Sequence, residues 1–226
     1  MAELLQRLMP NLLKKIPELL KCLRETLVMM GISGGISFML GLILALILIV
    51  TRKGDILQNL PLWTVLDKVI NFFRSVPFII LIALLIPVTR AIVGTAIGVK
   101  GAVVPLIFGT TPFFTRQMES ALAEINRGSI EAAQSVGTSP AGIIFRVYLK
   151  ESVPGIIRGV TITFISLVGL TAMAGAVGGG GLGDFAIRYG YQRFQTDITI
   201  VTVIILVLLV TIIQALGTFL SKKTLH

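Results

Sequence analysis

Between Glu25 and Arg52 the chain runs 26 residues without a charged side chain, TLVMMGISGGISFMLGLILALILIVT. Twenty such residues in a helix already cross the ~30 Å hydrocarbon core of a bilayer. Inside lipid every backbone N–H and C=O must find a partner within the protein, which leaves a helix or a closed barrel. The run shows no strict apolar–polar alternation, so a helix is expected. It is too long for a cleaved signal peptide, and no A-x-A site follows it.

Four further apolar runs follow, at about residues 69–91, 101–118, 154–177 and 198–220. The expected fold is therefore all-α, a polytopic membrane protein with five transmembrane helices. Only 14% of the 226 residues are charged, against about 25% in soluble domains. The net charge of +9 sits in the connections, where Lys and Arg flank membrane spans. Membrane lipid, and not nucleic acid, is the partner this placement implies. Cys22 is the only cysteine and His226 the only histidine. That excludes an internal disulfide, a His/Cys metal site and a His-based triad within one chain.

Residues 1–25 form an N-terminal segment distinct from the transmembrane domain at 26–220, with a short tail at 221–226. Leu4, Leu5, Leu8, Met9, Leu12, Leu13, Ile16, Leu19, Leu20 and Leu23 recur near helical period, with Arg7, Lys14, Lys15 and Lys21 off the stripe. An amphipathic segment lying on the membrane surface is expected, kinked or broken at Pro10 and Pro17. In the first span Gly31 and Gly35 form a G-x-x-x-G that lets another helix approach. Pro77 and Pro87 predict bends in the second span, and Pro105 and Pro112 predict breaks in the third.

What is missing narrows the function. The interiors of the five spans hold no Asp, Glu, Lys or His, the groups that proton- and ion-coupled carriers keep in the membrane. Arg74 is expected to snorkel to the interface. No G-x-x-x-x-G-K-[ST] is present, so this chain is not expected to bind or hydrolyse ATP. Gly178, Gly180 and Gly183 match G-x-G-x-x-G, but they follow a membrane span and not a β-strand, so no dinucleotide site is expected. No cofactor and no catalytic residue is expected. The chain reads as a path without a motor.

One segment is small and polar, residues 131–157, EAAQSVGTSPAGIIFRVYLKESVPGII. Asn126-Arg127-Gly128 is expected to end the preceding helix, with Gly128 past its C-terminus. Ser129 is expected to cap a new short helix with Glu131 in its first turn, Ala132 and Ala133 on its surface and Gly137 at its end. Ser139 caps the return helix and Pro140 fits its first position. A short capped helix faced by Glu and alanines suits insertion into a groove on a partner, where an ordinary loop would need neither cap.

At these residues the chain resembles the permeases of ABC importers. They carry E-A-A-x₃-G-x₉-I-x-L-P between two spans. Glu131, Ala132, Ala133 and Gly137 match it in type and spacing, Val147 replaces the Ile, and Leu149 matches. Lys150 stands where the family has Pro, and Pro154, four residues on, is expected to supply the break. Phe73–Ile80, Ile86–Thr95 and Ala176–Gly183 look like the permease subunits of D/L-methionine importers, and the likeness covers about residues 26–220. The resemblance implies a type I importer fold in the bacterial inner membrane and a second copy of the chain. It also implies a cytoplasmic ABC ATPase dimer docked on Glu131 to Pro140, and a periplasmic or lipid-anchored methionine-binding protein. A permease for another small amino acid, and an ATPase-independent channel or secondary carrier, are the competing readings.

Met173 stands alone among small residues at the end of the fourth span, in Leu170-Thr171-Ala172-Met173-Ala174-Gly175. With Thr171 and Gly175 it marks a candidate gate or path, although a flexible Met equally fills a packing gap. An intracellular coupling loop and five spans put the N-terminus outside and the C-terminus in the cytoplasm. Arg7, Lys14, Lys15, Lys21 and Arg24 pull against that placement, while Arg52, Lys53, Lys68, the bases around the coupling loop, Lys222 and Lys223 support it.

Overall fold

The charge-free run folds as part of one helix. The computed structural model describes residues 9–224, whose regular structure is all helical, with no β-strand among them. Helix α1 is Pro10–Leu13 and α2 is Ile16–Thr51. At 1.5 Å per residue, the 36 residues of α2 extend about 54 Å, well beyond a bilayer core. They are followed by α3 (Leu60–Ser75), α4 (Phe78–Leu84), α5 (Ile86–Val93) and α6 (Gly98–Ala123). Next come α7 (Arg127–Ser135), α8 (Pro140–Ile143), α9 (Leu149–Glu151) and α10 (Val153–Ala174). The short α11 (Gly181–Phe185) and the long α12 (Thr196–Lys223) end the chain. Widened π turns join α8 to α9 and follow α10 and α11.

Among the described residues, length and composition let three helices span a membrane, α2, α10 with its π turn, and α12, and up to four if α5 and α6, bent by 120°, form one broken span. The count of five expected from the apolar runs is thus approximate. The second run is divided among α3, α4 and α5. Its prolines act as expected: Pro77 caps α4 in an extended conformation and Pro87 sits in the first turn of α5. Pro105 and Pro112 do not act as expected, since α6 passes through both unbroken. Each removes a single helical bond, and buried Val104, Leu106, Phe114 and Met118 hold the helix by packing.

The described residues divide into two compact units, each assembled from three stretches of chain. The first takes the residues through Gly35 with Pro77–Phe108 and Phe164–Ile213. Its core brings Leu12, Leu19 and Cys22 against Leu182, Phe185 and Ile198. The Asn11 and Leu12 amides and the Asn11 side chain donate to the Asp197 carboxylate at 2.9, 3.2 and 3.1 Å. Leu12 and Leu19 of the amphipathic N-terminal segment are therefore packed on their own chain, while Leu13, Ile16 and Leu20 are exposed, and α2 continues through residue 25 into the first span without a break. The part of that segment before Met9, and the last two residues of the tail, lie outside the described residues. Glu25 and the Thr26 hydroxyl accept from the Gly181 and Leu182 amides, both at 2.8 Å, and so cap α11. The glycines serve a tight reversal: a Cβ on Gly179, before α11, would collide with the Ala174 backbone, and one on Gly183, within it, with the Ala172 backbone.

The second unit takes Ile36–Val76, Gly109–Thr163 and the chain from Gln214. Its core gathers Ala45, Ile49, Val50, Phe114, Met118 and Leu122 with Ile130, Ile143 and Tyr148. Helix approach in this chain uses Gly41, whose Cβ position lies 2.6 Å from the Phe114 ring, and in the first unit Gly34, 2.8 Å from the Phe164 ring. Gly31 and Gly35, the expected contact pair, face no atom within 4 Å.

Candidate functional site

The polar segment folds into α7, a tight turn, and a return helix, all in the second unit. The first cap differs from expectation. Asn126 is the N-cap, extended at φ −62°, ψ 124°, with its side-chain oxygen accepting from the Gly128 amide at 2.8 Å. Asn is among the strongest N-caps, so the helix begins before Ser129 and takes Gly128 into its first turn. Glu131 consequently lies beyond that turn. Its carboxylate is 3.8 Å from Arg127, with both side chains 69% exposed, a pair that adds little to stability.

Ile130 is buried and Ala133 half-buried, whereas Glu131, Ala132, Gln134, Ser135 and Val136 are exposed, Val136 to 80%. One side of α7 is thus anchored and the other presents a single carboxylate among small side chains. Its end is built as expected. Gly137 sits at φ +75°, its N–H donates to Gln134 C=O at 2.9 Å, and the Thr138 N–H donates to Ala133 C=O at 3.0 Å. That paired pattern satisfies two orphan carbonyls and requires the left-handed residue glycine supplies. Ser139 Oγ then accepts from the Gly142 amide at 3.2 Å, and Pro140 takes the first helical position.

The return helix is pinned from beneath. Ile143 and Tyr148 are buried in the core, with Ile144 and Val147 packed against it. The Tyr148 hydroxyl lies 2.8 Å from both carboxylate oxygens of Asp55, which also accepts from Arg52 Nε at 3.1 Å. Burial and then this hydrogen bond hold the Tyr148 phenol above the ordinary tyrosine range. Arg127 Nη2 donates to Gly54 C=O at 2.8 Å. The Arg52–Asp55 turn after α2 therefore clamps both limbs of the polar segment. Sequence reasoning puts Tyr148 with Ile143, Ile144 and Val147 on a core- or membrane-facing side of the return helix but misses its bond to Asp55, whose trace was a lone acid in a basic turn. Lys150 is exposed, and the break falls at Ser152, just ahead of Pro154 in the first turn of α10.

Sequence reasoning counted Arg116 only among the bases around the coupling loop. Inside α6 it pairs with Asp67 and, at 2.5 Å, with Glu119, and it donates to Asn71 at 3.0 Å. The third apolar run thus carries a charge whose partners lie on α3 and one turn further along α6. The candidate gate residues separate. Thr171 is buried with its hydroxyl on Val168 C=O at 2.8 Å. Gly175 is buried where a Cβ would meet the backbone of Gly180, Gly183 and Asp184. Neither faces an open path within this chain. Met173 does face outward, 41% exposed, with Gly169 and Val177 exposed on the same side. Among the described residues no three His, Cys, Asp or Glu side chains converge to hold a metal.

Residues 37–226 match the family described as the binding-protein-dependent transport system inner membrane component. The chain is 50% identical over 202 residues to the probable D-methionine transport system permease protein MetI of Vibrio cholerae, covering 89% of this chain and 90% of that one. It is 43% identical over 175 residues to the methionine import system permease protein MetP of Bacillus subtilis, covering 77% and 79%. Among solved structures, an inward-facing MetNI methionine ABC transporter superimposes with a TM-score of 0.91 at 42% identity, over 93% of this chain and 98% of that one. An amino acid ABC transporter at 18% identity shares the fold, with a TM-score of 0.78.

Proposed function

The chain belongs to the family of binding-protein-dependent transport system inner membrane components, and from that premise we infer that it is the permease subunit of an ATP-driven importer of methionine. It is a multi-pass inner-membrane protein of the type I importer fold, paired with a second copy and with ATPase subunits. Methionine as substrate, in D and L forms, rests on the relatives' names at 50% and 43% identity and on the MetNI structure. ATP hydrolysis belongs to the partner, and no cofactor is assigned to this chain.

The observation that carries the mechanism is the bare face of α7 on its clamped base. ATP binding closes the motor subunits, α7 moves with them through Glu131, Ala132 and Ala133, and Gly137, Ser139 and Pro140 pass the displacement to the return helix and α10. A rigid lever is needed for this, because a flexible loop would absorb the stroke. Met173 on the outward face of α10 serves as the gate across the axis between the two copies. The methionine-binding protein delivers substrate to the opposite side. The N-terminus is assigned outside and the C-terminus to the cytoplasm. Cys22 is buried, so exposed sites test this orientation better: a thiol at Val136→Cys reacts from the cytoplasm only, and one at Phe194→Cys from the outside only.

Co-purification with the ATPase, followed by ATP-dependent uptake of labelled methionine into proteoliposomes, tests the function. Glu131→Arg is expected to abolish uptake while leaving membrane insertion intact. A channel or ion-coupled carrier would keep its flux in that variant and without ATP.

A further inference from the structure

We propose that the second unit holds a binding site for an anionic phospholipid, with the headgroup phosphate between Arg158 and Lys222 and an acyl chain along α12. A groove of about 290 Å³ runs between α10 and α12, lined by Arg158, Thr161, Ile162, Gln214, Gly217 and Lys222 among others. Its floor is a close helix contact, because a Cβ on Gly217 would overlap the Thr161 hydroxyl. Its rim is cationic. The Arg158 side chain is 58% exposed, with one bond to Glu124 at 2.9 Å. Lys222 is exposed with no ion-pair partner among the described residues, and Lys223 follows it. Gln214 and Ser221 line the same groove with amide and hydroxyl donors.

The position of the groove selects the ligand. Lys222 and Lys223 close the α12 span and Arg158 lies just inside the start of α10, so both cations stand at headgroup depth. Basic pockets between membrane helices at this depth recruit anionic headgroups. Ile162 in the groove is exposed, as are Leu216, Phe219 and Leu220 on the same stretch of α12. The most apolar stretch of α12 is only 11% buried. A soluble anion would use the rim alone, whereas a phospholipid uses rim and wall together. Arg158 also borders the adjoining cavity formed with Glu124, Glu151 and Ser152, where the return helix leaves the polar segment. A bound phosphate draws Arg158 from Glu124, so the lipid acts next to the exit of the lever.

The test is native mass spectrometry of the full permease assembled with its ATPase, titrated with phosphatidylglycerol or phosphatidylcholine. Phosphatidylglycerol is expected to be retained preferentially, and Arg158→Gln or Lys222→Gln to weaken it about fivefold each. Glu124→Gln breaks the same ion pair yet is expected to keep or tighten the lipid. Equal loss in Arg158→Gln and Glu124→Gln would reduce the site to a structural ion pair and overturn the proposal. So would equal retention of phosphatidylcholine, or displacement of the lipid by inorganic phosphate. Disulfide trapping between two copies through Ile162→Cys would show a protein interface there instead.

Discussion

Removing one hydroxyl beneath the lever is expected to loosen it measurably. Tyr148 is fully buried, and the Asp55 side chain that accepts from it is 6% exposed. Tyr148→Phe keeps the ring and its packing and deletes only the bond at 2.8 Å. A hydrogen bond to a charged acceptor contributes about 1.5–3 kcal/mol. Taking about 2 kcal/mol, and a factor of ten per 1.36 kcal/mol, local opening becomes roughly 30-fold more frequent. Hydrogen exchange in the assembled transporter reads this directly, as faster exchange of the amides in Arg127–Ser135 and the return helix. A double-mutant cycle with Asp55→Ala should give a coupling of about 2 kcal/mol, because the two residues touch. The pH dependence has a fixed sign. The folded phenol is held above its ordinary value, so its contribution is complete below about pH 10 and is lost as pH rises toward the folded value. Wild-type protection should fall at strongly alkaline pH, and the Phe variant should lack that component. Exchange changed by less than threefold, with coupling near zero, would refute the clamp.

Gly137→Ala forces a side chain into the left-handed region at a cost of about 1–2 kcal/mol, and should lower the yield of co-purified ATPase without lowering the amount of inserted permease. Met173→Ala should raise the leak of labelled methionine through proteoliposomes in the absence of ATP; unchanged leak would return Met173 to a packing role. Gly41→Ala meets the Phe114 ring at 2.6 Å and should lower the melting temperature in detergent, by the 1–3 kcal/mol typical of overpacking. Gly35→Ala faces open space in the chain and should leave that temperature unchanged or raise it.

The turn of the polar segment was readable because its determinants are local. Gly137, Ser139 and Pro140 each answer to a backbone need within four residues, and the motif around Glu131 is compact. The helix start was misread for the same local reason: Asn126 and Ser129 are both good caps, and only the extended backbone at Asn126 decides between them. What lay beyond reach was set by partners far along the chain. Asp55 and Tyr148 are separated by 93 positions. Nothing near Pro105 or Pro112 announces that packing on α6 outweighs a lost bond. Leu12 and Leu19 looked suited to lipid because the chain surface they cover, Leu182, Phe185 and Ile198, comes far along the sequence. Arg116 was read only as one of the bases around the coupling loop, because Asp67, its partner on α3, stands 49 positions away.

The makeup of the two cores sets an order for biosynthesis. The core beneath the lever draws on residues from Ala45 to Tyr148, with partners to Val160, and is complete while the last helix is still on the ribosome. The core that seats the N-terminal segment needs Ile198, and Asn11 waits 186 residues for Asp197. At about 5–20 residues per second that delay lasts roughly ten to forty seconds. Throughout it, Leu12 and Leu19 lack the protein surface they cover in the folded chain. The nascent chain must shelter those leucines in lipid or in the insertion machinery, so residues translated early are among the last to fold.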